Sequence, residues 1–231
     1  MPPPPLARVA RTVGPRDLRR TSCCLVFITF EGGEGSGKSF QARALVERLR
    51  SRAIPVLLVH EPGGTPLGDY LREVLLVRDD LRLVPRAEAL LMNASRAQLV
   101  AQVILPAVQR GEVVVCDRYA DSTLAYQGAG RGLEVQELTS VISFATVGLQ
   151  PDMTILLDLP VAVGLARKHS QPGWNRFEAE TLAFHERVRA AYRAMAHAEP
   201  DRWLCFDASR PAEELAGEIW TGVATRMGLD P

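Results

Sequence analysis

Apolar and polar positions along the chain fall into two kinds of stretch. The first kind is short and uninterrupted: the run that ends at Phe30, Ile54–His60, Glu112–Cys116, Met153–Leu157 and Trp203–Phe206. Runs without polar alternation predict parallel strands covered on both sides. The second kind is longer, with apolar residues every three or four positions, and predicts amphipathic helices. Lys38–Arg50 is one, with Ala42, Leu45, Val46 and Leu49 on one face, and Leu67–Leu76 is another. Arg86–Gln109 is the longest, with Pro106 disturbing its last turn. Leu133–Val147, Val161–His169, Arg176–His197 and Ala212–Met227 complete the set. Asp79–Pro85 reads as linker, Ala120–Gly132 as a polar, glycine-rich segment, and Ser170–Asn175 as a break carrying glycine and proline. Strands alternating with helices predict an α/β fold, a doubly wound five-stranded parallel sheet with helices on both faces. Ligands of such sheets collect at the carboxyl ends of the strands.

Composition narrows the picture. At 231 residues, 47% of them hydrophobic and 23% charged, the chain fits one globular domain. Formal net charge is zero, but residues 1–24 hold five arginines and one aspartate. That segment is rich in proline and arginine without a period, so residues 1–24 are expected to be a disordered extension of a domain over 25–231. A transit peptide and a start codon placed too far upstream both remain open for it. A near-neutral body argues against duplex nucleic acid as a partner. No apolar run approaches the ~18 residues of a membrane span. Cys23, Cys24, Cys116 and Cys205 show no CxxC spacing. Cys116 and Cys205 lie in strand-like runs, which predicts buried free thiols in a reducing cytoplasm.

The candidate chemistry starts where the first strand ends. Gly32, four residues, Gly37, Lys38 and Ser39 fit G-x-x-x-x-G-K-[ST] between a strand and a helix. Glycines at 32, 33, 35 and 37 let backbone N–H groups turn inward around a polyphosphate, and the following helix aims its positive end at it. Glu34 and Ser36 are the loop's other positions. Lys38 would reach the β and γ phosphates and the Ser39 hydroxyl would ligate Mg²⁺. Lys38 and Lys168 are the only lysines among 27 basic residues, so lysine stands where a compact charge on a flexible stem is needed. The pattern implies a bound nucleoside triphosphate. Asp117, closing the third strand, has two readings: a partner of the magnesium ion's water shell, or a helix cap. The glycine loop favours the first. Arg118 points toward the same crevice, whereas Arg72 and Arg96 are each open to reading as solvated helical arginines. A GTPase-type switch fails, because Asn93 and Asn175 are the only asparagines and neither precedes lysine.

FEGGEGSGKS, EPGGTPLGDYLREVLL, ASRAQLV, DRYADSTLAYQGAGRGL, PDMTILLDLP and RFEAETLAFHERVRAAY together resemble thymidylate kinases, from Phe27 to the chain's end. The resemblance implies a P-loop nucleotide kinase with a short lid, transferring the γ-phosphoryl of ATP to dTMP with Mg²⁺. Arg72 and Arg118 would clamp the acceptor phosphate, a bidentate task that suits guanidinium. Arg96 and Gln127 would read the thymine edge, Tyr126 would lie under the sugar, and Glu34 would approach the 3′-hydroxyl. Glu61-Pro62 would be cis. A homodimer is implied, with the Arg86–Gln109 region at its interface. Three positions depart from the family pattern: Met92 replaces a phenylalanine that stacks on thymine, His60 an arginine, and Phe40 a threonine. The loop offers no cation for the transferred group, so the lid should supply one. Gln171 holds the usual lid-arginine position, leaving Arg167, Lys168 and Arg176. Arg176 has the bland alternative of a surface pair, and Arg167 that of stacking on adenine. A deoxynucleoside kinase is the nearest enzymatic rival.

Overall fold

The computed structural model describes residues 27–78, 80–169 and 176–230. The expectations for residues 1–24 and for the break with Gln171 lie outside them. Five strands, β1 (Phe27–Glu31), β2 (Val56–His60), β3 (Val113–Asp117), β4 (Met153–Asp158) and β5 (Trp203–Asp207), form one parallel sheet in the order β2-β3-β1-β4-β5. Between them run α1 (Lys38–Ser51), α2 (Pro66–Leu76), α3 (Pro85–Leu99), α4 (Leu105–Gln109), α5 (Ala120–Thr123), α6 (Val135–Thr146), α7 (Val161–His169), α8 (Leu182–Ala198) and α9 (Ala212–Met227).

Successive residues of a strand face opposite sides, and here both sides are covered. Ile28, Phe30, Val113, Val115, Ile155 and Leu157 pack against Ala42, Leu45, Val46 and Leu49 of α1 and Leu215, Ile219, Trp220 and Val223 of α9. Phe27, Val114 and Cys116 pack on the other side against Leu99, Ile104 and Ala107. Further along that side, Leu156 meets Phe184, Val188 and Tyr192 of α8. The unbroken apolar runs of β1, β3 and β4 follow from this double cover.

The edges behave differently. Val56, Leu57 and Leu58 of β2 are only half buried and His60 is exposed, and Cys205 on the other edge strand is a free thiol that faces solvent. Both departures have one cause: an edge strand lacks a neighbour on one side, so an apolar run there need not be enclosed. Pro106 acts earlier than expected. The helix widens into a π turn over Val100–Ile104, with Leu105 N–H donating to Val100 O, because a proline ring cannot share the space of the carbonyl four residues before it. The segment 120–130 is helical, not irregular: α5 runs into a π stretch over Leu124–Gly130. Residues 176–180 form turns, and the helix expected from Arg176 starts at Leu182, where Thr181 caps it by accepting from Phe184 N.

Candidate active site

After Glu31 the chain turns through 32–37 into α1. Gly32 has φ +144, and a Cβ there would sit 2.5 Å from Leu157 O. Gly35 has φ +68, and its Cβ would lie 2.1 Å from Gly164 O in α7. Gly164 is equally constrained, since a Cβ on it would approach Glu34 O to 2.2 Å. The loop is therefore wedged against the end of β4 and against α7, a contact no sequence pattern announced. Inside it Lys38 Nζ donates to Gly33 O at 2.7 Å and to Ser36 Oγ at 3.3 Å, and Ser36 Oγ donates to Gly33 O at 2.9 Å. Burial, then the neighbouring Arg118, pulls the Lys38 ammonium down to about 8. The Ser39 hydroxyl donates to Asp117 Oδ2, so the first residue pair expected around a cation is brought into contact.

At the end of β3, Arg118 is held at φ +71, an uncommon conformation for a side chain that size. Its N–H donates to Phe30 O at 3.0 Å. The side chain crosses to the glycine loop: NH2 to Glu34 Oε1 at 2.9 Å and NH1 to Gly32 O at 3.2 Å, with the guanidinium 5.0 Å over the Tyr126 ring. Tyr126 Oη donates to the same Glu34 oxygen at 2.7 Å. Burial raises the Glu34 carboxyl, but Arg118, then Lys38 and Tyr126, hold it at about 2. Behind them lies Glu31, fully buried, accepting from Tyr119 N (2.8 Å), Ser122 Oγ (2.6 Å) and Tyr192 Oη (2.8 Å). Burial, then Asp121, pushes Glu31 up to about 7. Sequence reading passed over Glu31, and the available signal was a charged residue closing an apolar strand.

The third wall is the loop after β2. Glu61-Pro62 is cis, as the resemblance implied. Thr65 caps α2 by accepting from Gly68 N at 3.0 Å, with Pro66 in the first turn. Arg72 of α2 donates to Pro62 O at 2.8 Å. Arg96 is almost wholly enclosed. Its Nε donates to Glu61 Oε2 (2.8 Å), NH1 to Asn93 Oδ1 (2.9 Å) and Thr123 Oγ1 (3.0 Å), and NH2 to Tyr119 O (2.9 Å), while NH2 also lies 2.8 Å from Glu61 Oε2. All its donors have acceptors within the protein, so Arg96 is a structural hub as well as a cavity wall.

These walls enclose one cavity of about 880 Å³, a size that holds a small-molecule ligand. Glu34, Gly35, Gly37, Lys38, Ser39, Arg72, Met92, Arg96, Asp117, Arg118, Tyr126, Gln127 and Arg167 all line it, with Phe40, His60 and Phe177. Gly32, Gly33 and Ser36 belong to the same loop without lining the cavity. Arg167 donates to Ala208 O at 2.9 Å, and Lys168 pairs with the buried Glu178 at 3.0 Å. Arg176 is turned toward α3, its NH2 3.5 Å from Glu88 Oε2. Ser39 and Asp117 form an all-oxygen pair suited to a hard cation that keeps water and phosphate oxygens as its remaining ligands. Among the described residues no cluster of three acidic, histidine or cysteine side chains forms a complete protein cage. The donors present therefore fit a magnesium ion that arrives with a nucleotide.

Residues 30–219 match the family model described as thymidylate kinase. The chain is 51% identical over 201 residues to a thymidylate kinase of Deinococcus radiodurans, covering 87% of this chain and 97% of that protein. It is 52% identical over 202 residues to a thymidylate kinase of Thermomicrobium roseum, covering 87% and 95%. It is 48% identical over 206 residues to one of Roseiflexus, covering 84% and 91%.

Proposed function

The chain belongs to the thymidylate kinase family, and from that membership we propose that it transfers the γ-phosphoryl group of ATP to dTMP, forming dTDP for dTTP synthesis. The observation that carries the reading is the single crevice into which the glycine loop, Asp117-Arg118 and the Glu61–Thr65 loop converge. A deoxynucleoside kinase is not favoured, since the relatives share nearly their whole length with this chain.

In this reading the loop N–H groups and Lys38 hold the donor triphosphate, with Arg167 at the nucleoside end. When bound, the magnesium ion supplies positive charge at the β and γ oxygens, and Ser39 and Asp117 would hold it. Arg72 and Arg118 orient the acceptor phosphate for in-line attack, so positioning and charge neutralisation do most of the work. Glu34, ionised well below neutral pH, fixes Arg118 and Tyr126 on the acceptor side. Met92, Arg96 and Gln127 form the base pocket. Arg176 is our candidate for the lid cation, released from Glu88 on closure.

For the homodimer, apolar side chains on or beside the adjacent helices α3 and α6 are available as contacts: Leu90, Val135, Phe144 and Val147 are all exposed, Phe144 by 90%. We place the enzyme in the cytoplasm, where the free thiols Cys116 and Cys205 stay reduced. No described helix is long and apolar enough to cross a membrane. The deciding assay offers dTMP and thymidine as acceptors with ATP and Mg²⁺. Turnover of dTMP alone is expected, and turnover of thymidine in preference would overturn the reading.

A further inference from the structure

Glu88, in the first turn of α3, is 1% exposed and does not line the cavity. Its Oε1 accepts from Gln127 Nε2 at 2.8 Å and from Arg131 Nε at 3.2 Å, and its Oε2 accepts from Arg131 NH2 at 3.1 Å. Arg131 is itself fixed, by Glu180 Oε1 at 2.5 Å and by the Phe184 ring 4.9 Å from its guanidinium carbon. The carboxylate therefore has a set position behind the cavity wall. In front of it Gln127 is buried and lines the cavity.

A carboxylate offers lone pairs only, so it can face just one half of a primary amide, the NH₂. Turning the Gln127 amide over would set its carbonyl against Glu88 Oε1 and leave a buried acceptor pair without a proton. With Nε2 anchored behind the wall, the carbonyl oxygen is the end presented to the cavity. We propose that Glu88 is a specificity-determining positioning residue: by fixing the Gln127 amide, it restricts the base site to pyrimidines that carry a hydrogen on the ring nitrogen facing Gln127. A 4-keto pyrimidine has that N–H. A 4-amino pyrimidine has a lone pair there, which would oppose the Gln127 oxygen. A site built around a buried polar group rejects the wrong partner far more strongly than an apolar pocket can. This rests on the reading that places Gln127 at the base edge.

The test measures kcat/KM of wild type and Glu88→Gln for dTMP, dUMP and dCMP. A neutral amide at 88 can donate or accept, so Gln127 becomes able to turn. Glu88→Gln should lower the dTMP:dCMP ratio by at least ~10-fold and leave dTMP:dUMP unchanged, because those two share one edge pattern. An unchanged dTMP:dCMP ratio in folded Glu88→Gln, or equal losses on all three nucleotides, overturns the proposal. If Glu88→Gln does not fold, Glu88→Asp decides by calorimetry with dUMP and dCMP, since it keeps a negative charge beside Arg131 and withdraws the carboxylate from Gln127. A dUMP:dCMP affinity ratio at least ~10-fold below that of wild type supports the proposal, and an unchanged ratio overturns it. A wild type inactive on dTMP would sink the family activity instead, so the two failures are distinct.

Discussion

Arg118 and Glu34 tie the end of β3 to the glycine loop, and the energy of that tie follows from the structure. The Glu34 carboxyl sits at about 2 against an ordinary 4.5, with Arg118 as the largest lowering influence, and only 12% of its side chain is exposed. At 1.36 kcal/mol per pKa unit the shift corresponds to roughly 3 kcal/mol favouring the ionised folded state. The sign fixes the pH window. A carboxyl with a depressed folded-state pKa contributes stability above its unfolded value, and that contribution is lost as pH falls from about 4.5 to about 2. Arg118→Met removes the cation but keeps a side chain at φ +71, so backbone strain cancels in the comparison. At pH 7 the variant keeps a buried carboxylate without its main partner and should be destabilised by roughly 3 kcal/mol, as for other broken buried pairs. In the variant, burial of Glu34 is opposed less, so it takes up its proton at higher pH and the gap from wild type should shrink toward pH 3. Arg118 also lowers Glu31, but that carboxyl sits at about 7 and is protonated in both folded proteins below pH 5. Urea unfolding of both proteins at pH 7, 5 and 3 measures the gap. A gap that does not change with pH would refute the pairing as its origin.

Three further expectations rest on single side chains. Lys38→Met should abolish transfer without lowering the urea midpoint, because Nζ hydrogen-bonds two neutral oxygens, Gly33 O and Ser36 Oγ, and burial already disfavours its charge. Met92→Phe should tighten dTMP binding several-fold in calorimetry, since an aromatic stack is worth about 0.5–1.5 kcal/mol more than its area, and weaker binding would mean that Met92 does not face the base. Arg176→Ala should lower kcat by at least ~10-fold with little change in the KM for dTMP, the signature of an interaction made only in the transition state. Arg167→Ala should chiefly raise the KM for ATP.

The sheet and the glycine loop were legible because each has a local cause. Double cover writes itself as VVVC and TILL, and a phosphate cradle writes itself as glycines before a lysine. Edge strands were misjudged because β2 and β5 are as apolar as the central strands although each is flanked on one side only. The helix over 120–130 was hidden by Gly128 and Gly130, which read as breakers. Gly130 has a packing reason instead: a Cβ there would lie 2.5 Å from the Phe184 ring. Gly164 was invisible for the same kind of reason, since its partner at Glu34 is 130 positions away in the chain. Glu31, Glu88 and Glu178 escaped notice because acidic residues are ordinarily surface residues, and only the fold shows what they are buried against.

Among the cations of the crevice, the kind of partner each one has separates those available to a ligand from those that hold the fold. Lys38 and Arg72 contact neutral acceptors, Gly33 O with Ser36 Oγ and Pro62 O. A bond from a cationic donor to a neutral oxygen contributes about 1.5–3 kcal/mol, and an anionic oxygen in that oxygen's place binds the cation more strongly. A phosphate oxygen therefore displaces such a carbonyl at small cost. Arg118 stands between, with Gly32 O on NH1 and the Glu34 carboxylate on NH2. In the proposed reading it would turn one edge to the acceptor phosphate while the other stays anchored. Arg96 is at the far end of the series: Glu61, Asn93, Thr123 and Tyr119 use every donor it has, and releasing it from Glu61 would leave a buried carboxylate uncompensated at a cost of about 3–5 kcal/mol. In the proposed reading, Arg96 would then share a bond already made and hold the Glu61-Pro62 loop against α3, and the amide of Gln127 would be left to discriminate between bases.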